Sequence, residues 1–124
     1  MLRGWTLVAG LGALTFSGQA LAADAAAGQK VFARCQACHV LDASTNKIGP
    51  HLGGIMGRQA GSLSDFQYSD AMKESGITWD EQTLSQFLEN PKKMVSGTKM
   101  AFPGLRKEEE RANVIAYIVE NSKE

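Results

Sequence analysis

Residues 35–39 read Cys35-Gln36-Ala37-Cys38-His39, two thiols three positions apart followed at once by an imidazole. On a helical turn, side chains at that spacing share a face, so both thiols can reach one edge of a flat ligand while His39 presents a ring nitrogen beside them. Cys-x-x-Cys-His is the spacing at which a c-type haem is attached through two thioethers. A bare Cys-x-x-Cys pair also serves as a redox-active dithiol or a structural disulfide. Here the adjacent histidine and the lack of a strand-helix-strand pattern around the pair point to haem.

A second axial ligand would decide what such a haem does. Besides His39 the chain has one histidine, His51, and beyond its N-terminal segment the methionines Met56, Met72, Met94 and Met100. His51 lies 12 residues past His39 behind Gly49-Pro50, which tends to hold it on the His39 side; it reads as a partly exposed loop residue. Met100 lies 61 residues beyond His39, in a loop between two expected helices. It can therefore return to the opposite haem face, with Met94 as the alternative. Single methionines more often fill cores.

Elements must position these groups. Residues 25–40 are rich in Ala, Gln and Lys, and Val31, Cys35 and Cys38 recur at helical intervals, which predicts a helix over that stretch with Asp24 as N-cap. Gly28 inside it costs up to about 1 kcal/mol relative to Ala and is read as a close helix crossing. Residues 41–68 carry Asp, Asn, Pro and several Gly without period, a long loop of the kind that wraps a ligand. Residues 69–74 form a short helix ended by Gly76, and Leu84, Phe87 and Leu88 mark a helix of about ten residues stopped by Pro91. Residues 92–102 read as loop. The last helix spans residues 107–121, with Glu108, Glu109 and Glu110 at its positive end and Val114, Ile115, Ile118 and Val119 as its apolar side.

The 124 residues, 44% apolar and 21% charged, suit one globular domain. Residues 1–22 differ: Arg3 precedes an uncharged run to Gly18, and Ala20-Leu21-Ala22 offers a cleavage point, the pattern of a signal peptide. Export to the periplasm follows, with residues 23–124 as the mature domain; if retained, the segment would act as a membrane anchor, although it is short and weakly apolar for a span. In an oxidising compartment the two cysteines would pair unless haem alkylates them. Basic and acidic residues number 13 each, which excludes a general nucleic-acid role. Lys30, Arg34, Lys47, Lys92, Lys93 and Lys99 fall near the haem segments, whereas Glu108, Glu109, Glu110, Glu120 and Glu124 crowd the C-terminal end, so a balanced total hides a dipole.

Five segments carry a resemblance: residues 28–39 (GQKVFARCQACH), 47–61 (KIGPHLGGIMGRQAG), 68–79 (YSDAMKESGITW), 88–100 (LENPKKMVSGTKM) and 111–118 (RANVIAYI). Together they resemble the class I cytochromes c, the group of mitochondrial cytochrome c and the bacterial soluble carriers. The resemblance implies an all-α, small single-domain cytochrome c fold, its N- and C-terminal helices crossing and its loops wrapping one covalent haem and its iron. It implies that Cys35 and Cys38 carry the thioethers, that His39 and Met100 bind the iron, and that the Pro50 carbonyl accepts from His39. It assigns Arg58, Tyr68 and Trp79 to a buried propionate and Phe102, in the GTKMAF run, to the haem pocket. A buried carboxylate needs such donors and charge around it. Gly28 and Phe32 would meet Val114 and Tyr117.

Three residues depart from the family pattern. Phe87 stands where many members have tyrosine, Met72 replaces an asparagine, and Ser96 replaces a usual proline. The first two imply a drier pocket, which disfavours the charged ferric state, against the loss of a sulfur hydrogen bond. The third implies a looser ligand loop.

An iron closed by His39 and Met100 has no position for substrate, so the implied activity is one-electron transfer, not enzymatic catalysis. The implied partners are redox proteins with acidic docking surfaces: a cytochrome bc complex, a terminal oxidase or a reaction centre, met by a monomer steered by its lysines. A peroxidase or small-ligand sensor would need one axial position to open, and a haem-free dithiol protein would be colourless.

Overall fold

The computed structural model describes residues 22–123 and, ahead of them, Gly4, Ala9, Gly10 and Gly12. The expected signal peptide otherwise lies outside the described residues. Five helices follow in order: α1 (Ala25–Phe32), α2 (Asp70–Lys73), α3 (Glu81–Glu89), α4 (Pro91–Met94) and α5 (Glu108–Asn121). Among the described residues there are two isolated bridges, Asp42 with Lys123 and Gln59 with Thr78, and no strand.

Helix α1 starts where expected, because the Asp24 carboxylate accepts from the Ala26 and Ala27 N–H groups at 2.9 and 3.2 Å. It ends at Phe32, well short of residue 40. Past that point three- and four-residue bonds mix: Arg34 N–H to the Val31 carbonyl at 3.1 Å, Cys35 and Gln36 both to Phe32 at 2.7 and 3.1 Å, and Cys38 and His39 both to Cys35 at 3.1 and 2.9 Å. The haem motif therefore occupies a series of turns, and the spacing of Val31, Cys35 and Cys38 fits such turns as well as a helix.

The crossing of α1 on α5 closes the chain. Gly28 is buried there, and a Cβ at that position would run into the Asn113 carbonyl oxygen. The missing side chain is what lets the backbones approach. Phe32 and Tyr117 stack beside it with ring centroids 5.4 Å apart, and Val114 is wholly buried. Asn113 also accepts from the Asp24 N–H at 2.8 Å, tying the start of α1 to α5. Each fully buried Val or Phe side chain contributes about 1.5–3 kcal/mol, so this contact holds the termini together. Val119, expected on the apolar side of α5, is instead 41% exposed, because it lies one step round the helix from Ile118.

Helix α3 begins with a reciprocal cap: the Asp80 carboxylate accepts from Thr83 N–H at 2.8 Å and Thr83 Oγ1 accepts from Asp80 N–H at 2.9 Å. Leu84, Phe87 and Leu88 then face the core. Pro91 does stop α3, but it also opens α4, so the start of the expected 92–102 loop is helical. Asn90 caps α4 through Oδ1, which accepts from Lys93 N–H at 3.2 Å.

Candidate haem site

His39 sits in the last of the turns after α1, its N–H on the Cys35 carbonyl at 2.9 Å. Its ring is oriented by the next loop, where Nδ1 lies 2.7 Å from the Pro50 carbonyl oxygen. A carbonyl only accepts, so Nδ1 carries the proton and Nε2 keeps its lone pair. Burial lowers the His39 pKa, the Pro50 carbonyl works against that, and the Arg58 charge lowers it further. The net direction favours neutral imidazole, the form that binds a metal. Gly49 completes the mount. A Cβ there would strike the His39 ring, and its N–H donates to the Cys38 carbonyl at 2.8 Å. Leu52 N–H donates to the Val40 carbonyl at 2.8 Å, so this loop is tied to the motif at three points.

Cys35 and Cys38 are both half-buried and are not joined in a disulfide. Burial pushes the Cys35 thiol up, with Arg34 pulling it down and Cys38 adding to the rise. Arg34 itself lies 3.8 Å from Glu110, so its charge is shared with an acid in the first turn of α5.

Arg58, Tyr68 and Trp79, assigned together by the resemblance, are brought together. Trp79 N–H donates to the Arg58 carbonyl at 2.9 Å, and Gly57 N–H to the Trp79 carbonyl at 2.7 Å, so two separate loops pair next to the core. Trp79 is buried against Phe87, ring centroids 5.2 Å apart. The Arg58 guanidinium donates to the Gly53 and His51 carbonyls at 3.0 and 2.9 Å. Burial lowers the Arg58 pKa, and the adjacent Tyr68 opposes it. Burial raises the Tyr68 pKa, opposed by the Leu63 N–H and then by Arg58. The Tyr68 hydroxyl accepts that N–H at 3.4 Å and so keeps its own proton for another partner.

His51, expected to be partly exposed, is buried: its loop is pulled inward by Arg58 on its carbonyl and Asn46 on its N–H. Its Nδ1 has no partner among the described residues, and it lines a cleft of about 440 Å³ with Ala43, Gly54, Met56, Arg58 and Leu63. That cleft flanks Arg58 and is lined by none of Cys35, Cys38, His39 and Met100.

Met100 and Phe102 are half-buried and pack on the core, as do Met94 and Leu52. Met100 N–H donates to Thr98 Oγ1 at 3.3 Å. Of the departures, Phe87 is buried against Trp79 and Met72 is half-buried. Sequence reasoning missed the steric role of Gly49; its signal was the position directly before Pro50. It also missed Arg111, whose burial nothing in its charge announced.

These residues suit a c-type haem. Cys35, Cys38 and His39 are the donors such a haem would take, His39 presents Nε2, and Gly49 leaves room for its ring.

A small all-α domain with crossed terminal helices and a Cys-x-x-Cys-His turn is the architecture of a class I c-type cytochrome. The family model for cytochrome c matches residues 25–122, and the chain belongs to that family. Cytochrome c-554 of Methylosinus trichosporium is 49% identical over 91% of this chain and 87% of its own length. Cytochrome c2 of Rhodoblastus acidophilus is 50% identical over 78% of this chain and 92% of its own. The solved structure of cytochrome cH from Methylobacterium extorquens, 47% identical, superposes with a TM-score of 0.74 over 78% of this chain and 98% of that one. Members of the family bind haem c with its iron and transport electrons.

Proposed function

We propose that this chain is a soluble, monomeric one-electron carrier of the periplasm, with His39 and Met100 as axial ligands. When bound, the haem supplies a ferric/ferrous couple. Cys35 and Cys38 hold it by thioethers, and His39 offers Nε2 because Pro50 occupies Nδ1, the observation that carries the reading. Met100 would offer its sulfur as the second ligand, Phe102 would line the haem pocket, and Arg58, Tyr68 and Trp79 would supply charge and donors to a propionate. With both axial positions taken by side chains of the protein, nothing else is chemically reached, and electrons pass between partners.

The partners are acidic redox surfaces, such as those of a cytochrome bc complex, a terminal oxidase or a reaction centre. Lys30, Lys92, Lys93 and Lys99 are exposed and steer them, so association should weaken as salt rises. The composition of residues 1–22 supports export.

Visible spectra of the purified protein test the site. The ferric form should show a sulfur-to-iron charge-transfer band that Met100→Ala abolishes and Met94→Ala leaves. Loss of the band in Met94→Ala alone would move the ligand to that residue. A colourless preparation with two titratable thiols would overturn the haem reading.

A further inference from the structure

Arg111 is buried in the fourth position of α5, with no carboxylate within ion-pair reach among the described residues. A cation near a helix N-terminus opposes the helix dipole, and a buried one needs hydrogen bonds to offset its desolvation. Those bonds are specific. One terminal nitrogen, Nη1, donates to both the Leu105 and the Arg106 carbonyls at 2.9 Å, and Nε donates to Ser85 Oγ of α3 at 3.0 Å. Leu105 is itself tied to α3, its N–H on the Leu88 carbonyl at 2.6 Å. Just before it, Gly104 sits at φ +117° with its Cα packed on the Glu89 carbonyl, where no Cβ fits.

These contacts form the downstream anchor of the loop that carries Met100. The upstream anchor is α4, with Val95 N–H on the Pro91 carbonyl at 2.9 Å and Thr98 N–H on the Val95 carbonyl at 3.0 Å. Between the anchors, across residues 99–104, the single hydrogen bond among the described residues is that of Met100 N–H to Thr98. A span with so little bonding of its own takes its position from its ends.

We propose that Arg111 is a positioning residue for the Met100 ligand: its guanidinium, clamped on the Leu105 and Arg106 carbonyls, sets how readily Met100 leaves the iron. This rests on the assignment of Met100 as axial ligand. Shortening the clamp leaves two carbonyls of the loop without their donor, so the downstream end slackens and the open, methionine-off state gains population.

Exogenous imidazole reads that population, since it binds ferric iron only when Met100 has left. Its dissociation constant is measured by titration of the haem-loaded protein, followed through the sulfur-to-iron band. Ser85→Ala should tighten imidazole binding about two- to threefold and Arg111→Lys about tenfold, the latter a shift of about 1.4 kcal/mol. Arg111→Met goes further where it folds; the other two variants carry the test where it does not. Val114→Ala, at the α1–α5 crossing, serves as control. It should lower the melting temperature yet leave imidazole affinity within about twofold, because global unfolding is not the state imidazole reads. If Arg111→Lys and Ser85→Ala lower the melting temperature without tightening imidazole, Arg111 is only a structural brace and the proposal is overturned. If the unsubstituted ferric protein lacks the sulfur band, the Met100 assignment fails and takes the proposal with it.

Discussion

The two sides of the site are held by different means. On the His39 side, residues 38–40 and 49–52 are joined by three hydrogen bonds of 2.7–2.8 Å, with the glycine backbone pressed against the imidazole. On the Met100 side, residues 99–104 share one bond of 3.3 Å and depend on anchors at their ends. His39 is fixed by its immediate neighbours and Met100 by a suspended loop. With the ligands proposed above, such a pairing would give an electron carrier one firmly held donor, His39, and one, Met100, whose hold the fold can tune from a distance.

The sharpest way to break this contrast is a methyl group on each side. Gly49→Ala puts a Cβ into the His39 ring, and ring and loop cannot both stay. It should destabilise the haem-loaded protein by about 3 kcal/mol, the upper part of the overpacking range, as measured by denaturant titration. Gly97→Ala meets only the Ala71 Cβ at 3.4 Å, although its φ of +93° strains any L side chain. A cost of about 1–2 kcal/mol is expected there. Should Gly97→Ala cost more than Gly49→Ala, the His39 side is not the tighter one.

A change to the outer brace comes next. Arg58→Lys removes the fork that holds the His51 and Gly53 carbonyls, and one ammonium cannot span both as the guanidinium does. A loss of about 1–2 kcal/mol should appear in the same titration. The matching change in the Met100 loop, Thr98→Val, removes one long bond and should cost about 0.5–1 kcal/mol. Equal costs would mean the loop carries as much bonding per residue as the mount.

How far the sequence disclosed this contrast depends on the length scale of each signal. The motif, the Asp24 cap, the Gly28 crossing and the turn at Gly76 were legible because each is set by residues within one turn of chain or by a missing side chain. The end of α1 was not. Helical and three-residue turns place Cys35 and Cys38 alike, and backbone bonds of both kinds occur through the motif. Helix α4 was hidden behind Pro91, whose stopping power is evident and whose suitability as a first helical residue depends on Asn90 supplying the cap. Burial of His51 and Arg111 escaped for a related reason. Arg111 is drawn in by the Leu105 and Arg106 carbonyls and His51 by Asn46 on its N–H and Arg58 on its carbonyl, and backbone partners of this kind leave no trace in residue type. The roles of Pro50, Arg58, Tyr68, Trp79 and Phe102 came from resemblance alone. Their placement around two paired loops and one packed core is physical support of another kind.

The most direct reading of the contrast changes no residue. Amide protons exchange when their hydrogen bonds open, at a rate set by the free energy of the opening that exposes them. The Gly49 and Leu52 amides donate to Cys38 and Val40 inside the mount, and freeing either requires the loop to leave the imidazole it packs against. They should exchange in the slow group, near the amides of the α1–α5 crossing. The Ala101 and Phe102 amides have no acceptor among the described residues, and the loop can lift without disturbing α3 or α5. They should exchange faster than Gly49 and Leu52 by about two orders of magnitude, equivalent to about 2.7 kcal/mol of opening free energy. Equal protection on both sides would mean that the Met100 loop is held by side-chain packing of Phe102 and Met94 strongly enough to match the bonded mount. Met100 would then be as fixed as His39.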